Sequence, residues 1–226
     1  MVNVVYFYLF LFKFLRISMQ DLKEKYPDTL LMVECGYRYR FFGKDAEKAA
    51  KILDIIAHPD SVGSGLLGLT ASVPTFNGHK NYVRKLVLQG EKVGVVSQTE
   101  TSAEKKVNKN SSKTSSGPFS REVTEIYTAS TFLDEVYDTV RTFNILACSK
   151  KATLTLTPVT GQMVLNKINE NGLKDLLYDV EPFEIITSQG FVDGVVEHYV
   201  HDQKIIRGNP VRLELIQVKK QYIEFS

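Results

Sequence analysis

Two apolar runs of strand length do most to limit how this chain can fold. Thr29–Cys35 (TLLMVEC) and Lys92–Thr99 (KVGVVSQT) are close to continuously apolar, the pattern of strands buried on both faces. Such strands need helices to cover them, and the intervening sequence supplies two. Ala46, Ala49, Ala50 and Leu53 repeat at helical spacing just after Asp45, a residue suited to a helix start, and Pro59 closes that unit. Val83, Leu86 and Val87 make a second stripe, with Gly90 as its C-terminal stop. Between them, Ser61–Gly68 reads as a Gly/Ser-rich loop, and Val73-Pro74-Thr75 starts a further element. The order strand, helix, helix, strand predicts an α/β domain.

A second unit follows. Residues 102–118 (SAEKKVNKNSSKTSSGP) have almost nothing to bury and read as a mobile basic loop. Order resumes over Arg121–Phe132. Phe143–Cys148 and Ala152–Pro158 read as strands joined by a turn at Ser149–Lys151, and Gly161–Asn166 as a third strand. Leu173, Leu176 and Leu177 suggest a helix, and Phe183–Thr187 another strand. The expected division is 19–134 and 135–226, which suits a length of 226 residues. The tail 191–226 has weak periodicity and is left unplaced. Residues 1–18 form an atypical apolar leader. Its run Val4–Phe12 is too short to span a bilayer, and Lys13 and Arg16 follow the apolar core where a signal peptide would have charge before it. A start foreign to the fold is the favoured reading over a membrane or secretory leader, and no membrane partner is expected.

Several functions are excluded or weakened. An apolar fraction of 43% is too high for a disordered chain. Net charge is +2, so bulk charge does not grip nucleic acid, although residues 80–121 hold nine basic against three acidic side chains. Cys35 and Cys148 cannot form a disulfide framework and read as buried thiols of a reducing compartment. No G-x-x-x-x-G-K-[ST], G-x-S-x-G, H-E-x-x-H or paired C-x-x-C occurs. His198 and His201 lie three apart without a third ligand nearby, which is weak support for a metal. No catalytic residue emerges, and a non-enzymatic chain is expected.

One local pattern carries a mechanism. Tyr37-Arg38-Tyr39-Arg40-Phe41 alternates aromatic and basic side chains, with Tyr37, Tyr39 and Phe41 on one strand face and Arg38 and Arg40 on the other. A ring inserted between bases gains stacking energy, and an arginine beside it can hold a phosphate. Unstacking costs less where pairing is already broken, so such a device favours defective DNA. The competing reading is a half-buried strand with its aromatics inward and arginines outward.

The segment from Met19 to Leu53 resembles the start of the mismatch-binding domain of MutS proteins. It is most similar to the eukaryotic branch that recognises insertion–deletion loops, which carries C-G-Y-K-Y-R-F-F-G-x-D-A where this chain has Cys35-Gly36-Tyr37-Arg38-Tyr39-Arg40-Phe41-Phe42-Gly43-Lys44-Asp45-Ala46. Thr70-Ala71-Ser72-Val73-Pro74-Thr75, the run Lys92–Thr101, and Phe119-Ser120-Arg121 with Tyr127-Thr128 agree as well. A looser match over 135–190 rests on Thr160-Gly161-Gln162 and Glu181-Pro182-Phe183-Glu184.

The resemblance implies an α/β fold of two small domains, a mixed-sheet mismatch-binding domain and a ribonuclease-H-like connector. It implies a nuclear protein of DNA mismatch repair that binds duplex DNA with looped-out or mispaired bases. Its heterodimer partner would be the second eukaryotic MutS homologue. Where mismatch readers use Phe and Glu of an F-x-E motif, this branch separates strands with a Tyr-Lys pair. Tyr37-Arg38 stands there, and Arg40 falls where the Glu would be. Arginine keeps the charge of lysine and changes its geometry. The implied DNA-binding residues are Tyr37, Arg38, Tyr39 and Arg40, with Lys80, Arg84 and Lys85 from the basic stretch. Phe76–Tyr82 departs from the family's sequence near DNA. The lever, clamp and ATPase domains have no counterpart in the sequence, so the ATP and magnesium of longer members are not expected to act here. Two other readings stay open: a single-strand or RNA binder stacking bases on Tyr37, Tyr39 and Phe41, and an interaction scaffold using 135–226.

Overall fold

The computed structural model of the chain describes residues 20–59, 68–76, 78–99, 121–132, 143–149, 151–168, 172–188, 194–208 and 210–216. The expected loops over 61–67 and 102–118 lie outside these residues, as do the leader 1–18 and the expected boundary at 134/135. The chain divides into two compact units, the first reaching Val87 and resuming over Glu91–Tyr127, the second made of Leu88–Gly90 and the chain from Thr128 onward.

In the first unit β1 (Thr29–Cys35) and β2 (Arg38–Phe42) form an antiparallel hairpin, and α1 (Gly43–Leu53) follows without a break. Then come β3 (His58–Pro59), β4 (Leu69–Pro74), α2 (Lys80–Leu88), β5 (Lys92–Gln98) and β6 (Arg121–Tyr127). The six strands form one mixed sheet in the order β3-β4-β2-β1-β5-β6, with β1 and β5 parallel. These two central strands are the two apolar runs of the sequence, and Leu30, Leu31, Met32, Val33, Val93, Val95 and Val96 are buried along them. Helices α1 and α2 bury Ala46, Ala49, Leu53, Val83, Leu86 and Val87, the two stripes read from spacing.

The block Val73-Pro74-Thr75 ends a strand where a start was expected, because β4 runs Leu69–Pro74 and pairs with β2. Asp45 does not cap α1 either. It stands three residues inside the helix, whose N-cap is Phe42 with no side-chain cap.

The second unit has β7 (Ile145–Cys148), β8 (Ala152–Thr157), β9 (Gln162–Lys167), α3 (Gly172–Val180), β10 (Glu184–Ser188), α4 (Gly194–Arg207) and β11 (Arg212–Ile216). The sheet order is β11-β10-β7-β8-β9, an antiparallel meander β7-β8-β9 continued by β10 and β11 parallel to β7. This agrees with the ribonuclease-H-like arrangement expected. Leu146, Ile185, Leu173, Leu177, Val196 and Tyr199 form its core against α3 and α4. The unplaced tail therefore contributes a helix and an edge strand.

Candidate nucleic-acid interface

The loop between β1 and β2 is two residues long, since Cys35 pairs directly with Arg38. Gly36 takes its first position at φ +62°, the place where a type II′ hairpin turn requires glycine. Tyr37 takes the second. Its ring stands at the tip of the turn and is 91% exposed. The Tyr37 carbonyl accepts a 3.0 Å hydrogen bond from the Thr75 N–H, which ties the hairpin tip to the end of β4. Arg38 begins β2 and lies against β4. Its Nε donates to the Ser72 hydroxyl at 2.8 Å and its Nη2 to the Ser72 carbonyl at 3.2 Å. Both partners are neutral, so the guanidinium is held in place with its charge intact.

Strand parity then separates the remaining candidates. Arg38 and Arg40 share the sheet face opposite α1 and α2. The register Gln98↔Arg121 brings Arg121 of β6 to the same end of that face. Cys35 registers their proximity: burial pushes its thiol up, while the charges of Arg121 and Arg40 pull it down. Three arginines thus stand around the hairpin base. In the sequence Arg121 stands in a basic stretch and in the block Phe119-Ser120-Arg121, and register reveals its neighbours.

Tyr39 and Phe41 face the other way and are buried, at 9% and 0% exposure. A three-ring stacking platform of Tyr37, Tyr39 and Phe41 is therefore ruled out, and Tyr39 offers no ring to a base. Its contact is the imidazole of His79, 6.1 Å between ring centroids in an edge arrangement. His79 also lies 6.3 Å from the Tyr127 ring, with Nε2 2.8 Å from Glu125 Oε2. The Tyr127 hydroxyl donates to the same carboxylate at 2.8 Å. Burial and this bond push the Tyr127 phenol up to about 12, and burial with Glu34 and Glu125 raises Tyr39. These groups brace the start of α2.

Lys80 opens α2 next to His79 and is exposed. Arg84 and Lys85 sit one turn and more along the helix, about 6 Å and 7.5 Å from Lys80 by helical rise. Of the seven candidates Tyr39 is buried, and the other six fall into three groups. Tyr37 and Arg38 form the tip, Arg40 stands behind them beside Arg121, and Lys80, Arg84 and Lys85 lie along α2. Phe76, which the sequence offers only as the start of the divergent run Phe76–Tyr82 and not as a candidate, is 82% exposed beside Thr75. Its only sequence signal is an apolar ring in a short Gly-containing turn.

Among the described residues no group of three or more His, Cys, Asp and Glu could hold a metal ion, and no helix is long and apolar enough to cross a membrane. His198 and His201 lie on α4, with His198 Nε2 3.5 Å from Asp202.

Residues 18–136 match the family described as MutS domain I. The protein described as DNA mismatch repair protein MSH3 from Arabidopsis thaliana is 53% identical over 113 residues, covering 49% of this chain and 9% of its own length. The Dictyostelium discoideum protein of the same description is 45% identical over 117 residues, covering 52% of this chain and 8% of its own. The Homo sapiens one is 31% identical over 242 residues, covering 91% of this chain and 20% of its own. The chain thus spans a fifth or less of the length of these relatives.

Proposed function

We propose a function from the premise that this chain belongs to the MutS family: it acts in DNA mismatch repair by binding duplex DNA at looped-out bases, with Tyr37 and Arg38 as the separating wedge. The observation that carries this reading is the Tyr37 ring, 91% exposed on a two-residue turn with its backbone pinned to β4. With the backbone pinned, only the two side-chain torsions of the ring remain to be ordered when it stacks on a base. Arg38, fixed on Ser72 beside it, supplies positive charge for a phosphate at the opened step. Arg40 and Arg121 extend that charge along the same face. The carboxylate by which mismatch readers hold a base is replaced by Arg40, which favours separation of strands over reading of a mispair. The same reading takes the second eukaryotic MutS homologue as partner and a nuclear location, supported by the likeness to the eukaryotic relatives.

The test is equilibrium binding of the 226-residue chain to a duplex with a four-nucleotide loop and to the matching perfect duplex. The wild type binds the looped duplex more tightly. Tyr37→Ala with Arg38→Ala lowers that affinity on the order of tenfold or more and leaves perfect duplex little changed. Equal binding of both DNAs by the wild type, with no loss in the double variant, sinks the wedge.

A further inference from the structure

Tyr37 and Phe76 are the two most exposed large apolar side chains among the described residues, at 91% and 82%. They are far apart in sequence, and the turns that carry them meet in the fold. Arg38 pairs with Pro74 at the end of the β2–β4 ladder, so Tyr37 and Thr75 are the next residues beyond that last pair. Thr75 is the junction. Its N–H donates to the Tyr37 carbonyl at 3.0 Å, and its own carbonyl accepts from the Gly78 N–H at 2.9 Å. The second bond closes a four-residue turn with Phe76 as its second residue, and Gly78 at φ +70° takes the backbone conformation that other residues avoid. Two rings thus leave one end of one sheet on two tight turns joined through a single residue.

We propose that Phe76 is a second DNA-contacting ring, and that Tyr37 and Phe76 act as a pair on duplex DNA carrying extrahelical nucleotides. This rests on the reading of the tip given under Proposed function and extends it to a residue that carries specificity. Opening a duplex uncovers two base faces, one on each flank of the gap. A single ring covers one of them, and the second is left against water at the cost of its stacking. A ring on the neighbouring turn covers the other. A single mispair opens one step and leaves little room for both rings. A loop of several nucleotides leaves room for both, so Phe76 shifts preference toward larger defects. Exposure of two large rings at one point has no use in the packing of the unit, which buries Tyr39 and Phe41 instead.

The test uses the 226-residue chain with Phe76→Ala, Phe76→Trp and Tyr37→Ala. Binding is measured to a duplex with a four-nucleotide loop, a duplex with a single mispair, a perfect duplex and a single strand. A 2-aminopurine flanking the loop reports stacking. Phe76→Ala is expected to weaken the looped duplex on the order of tenfold, to weaken the mispair less, and to leave perfect duplex and single strand unchanged. It also abolishes the quench of 2-aminopurine, and Phe76→Trp restores both signals. Phe76 is exposed, so the urea midpoint of each variant stays at the wild-type value. Two outcomes overturn the proposal: Phe76→Ala matching wild type on looped DNA while Tyr37→Ala is weakened, or equal weakening on all four DNAs. If Tyr37→Ala is also without effect and the wild type shows no preference for the loop, the wedge itself is refuted and the role of Phe76 falls with it.

Discussion

Glu125 serves two residues of the layer that holds the candidate interface, with Oε2 2.8 Å from both the Tyr127 hydroxyl and His79 Nε2. The phenol benefits only while it keeps its proton. Its folded value of about 12 stands above the ordinary value of 10.0. Between those two values the unfolded chain has released this proton and the folded chain still binds it. Stability from this group is therefore full below pH 10 and is lost as pH rises toward 12. Phenolate absorbance should show a late step that Tyr127→Phe removes and that Glu125→Gln moves toward the ordinary range. A titration of Tyr127→Phe that superimposes on wild type would refute the assignment. At this scale the sequence was half legible. Period two correctly set Tyr39 and Phe41 on one face and the arginines on the other. It could not separate Tyr37 from its two partners, because a residue in a hairpin turn leaves the alternation of the strand.

The segment that turns β2 into α1 explains the sequence Phe42-Gly43-Lys44-Asp45-Ala46 as a joint. Gly43 at φ +55° bends the chain out of the sheet. Past that bend β1 keeps β5 on one side but has no β2 residue on the other, and the N–H of Leu31 would face a gap there. The Asp45 carboxylate fills it, accepting from Leu31 N–H at 3.0 Å. Lys23 then donates to both carboxylate oxygens, at 2.8 and 3.0 Å, and to the Thr29 carbonyl at 2.6 Å. Ala46, fully buried, lets the helix sit close. Asp45→Ala leaves a buried N–H without its acceptor and should cost about 2–3 kcal/mol. The readout is a lower urea midpoint at unchanged slope. Lys23→Met should cost less, because that side chain is 39% exposed. Equal midpoints for Asp45→Ala and wild type would contradict the joint.

Elements failed to show in the sequence where their burial is one-sided or their apolar spacing is interrupted. In β4 only Ala71 and Val73 are buried, alternating with the half-buried Thr70, Ser72 and Pro74. In α4 the inward residues are Val196, Tyr199 and the polar Gln203, while Ile205 and Ile206 face out and confuse the period.

Across the whole chain, charge is divided more sharply than the net value of +2 suggests. Strand register brings Arg38, Arg40 and Arg121 to one end of the first sheet. Composition could not show this, because register is set by pairing between distant strands. The two roles at the interface then separate by salt. Stacking by Tyr37 exchanges no counterions, whereas each arginine that neutralises a phosphate releases about one. Arg40→Gln and Arg121→Gln should each reduce the slope of log affinity against log salt by about one, on looped and perfect duplex alike. Tyr37→Ala should lower affinity for looped duplex and leave that slope unchanged. Lys174→Gln, on α3 of the second unit, should change neither. A slope unmoved by both arginine substitutions would place the phosphate contacts elsewhere on the chain, and the arginine face would then be only the outer side of a sheet.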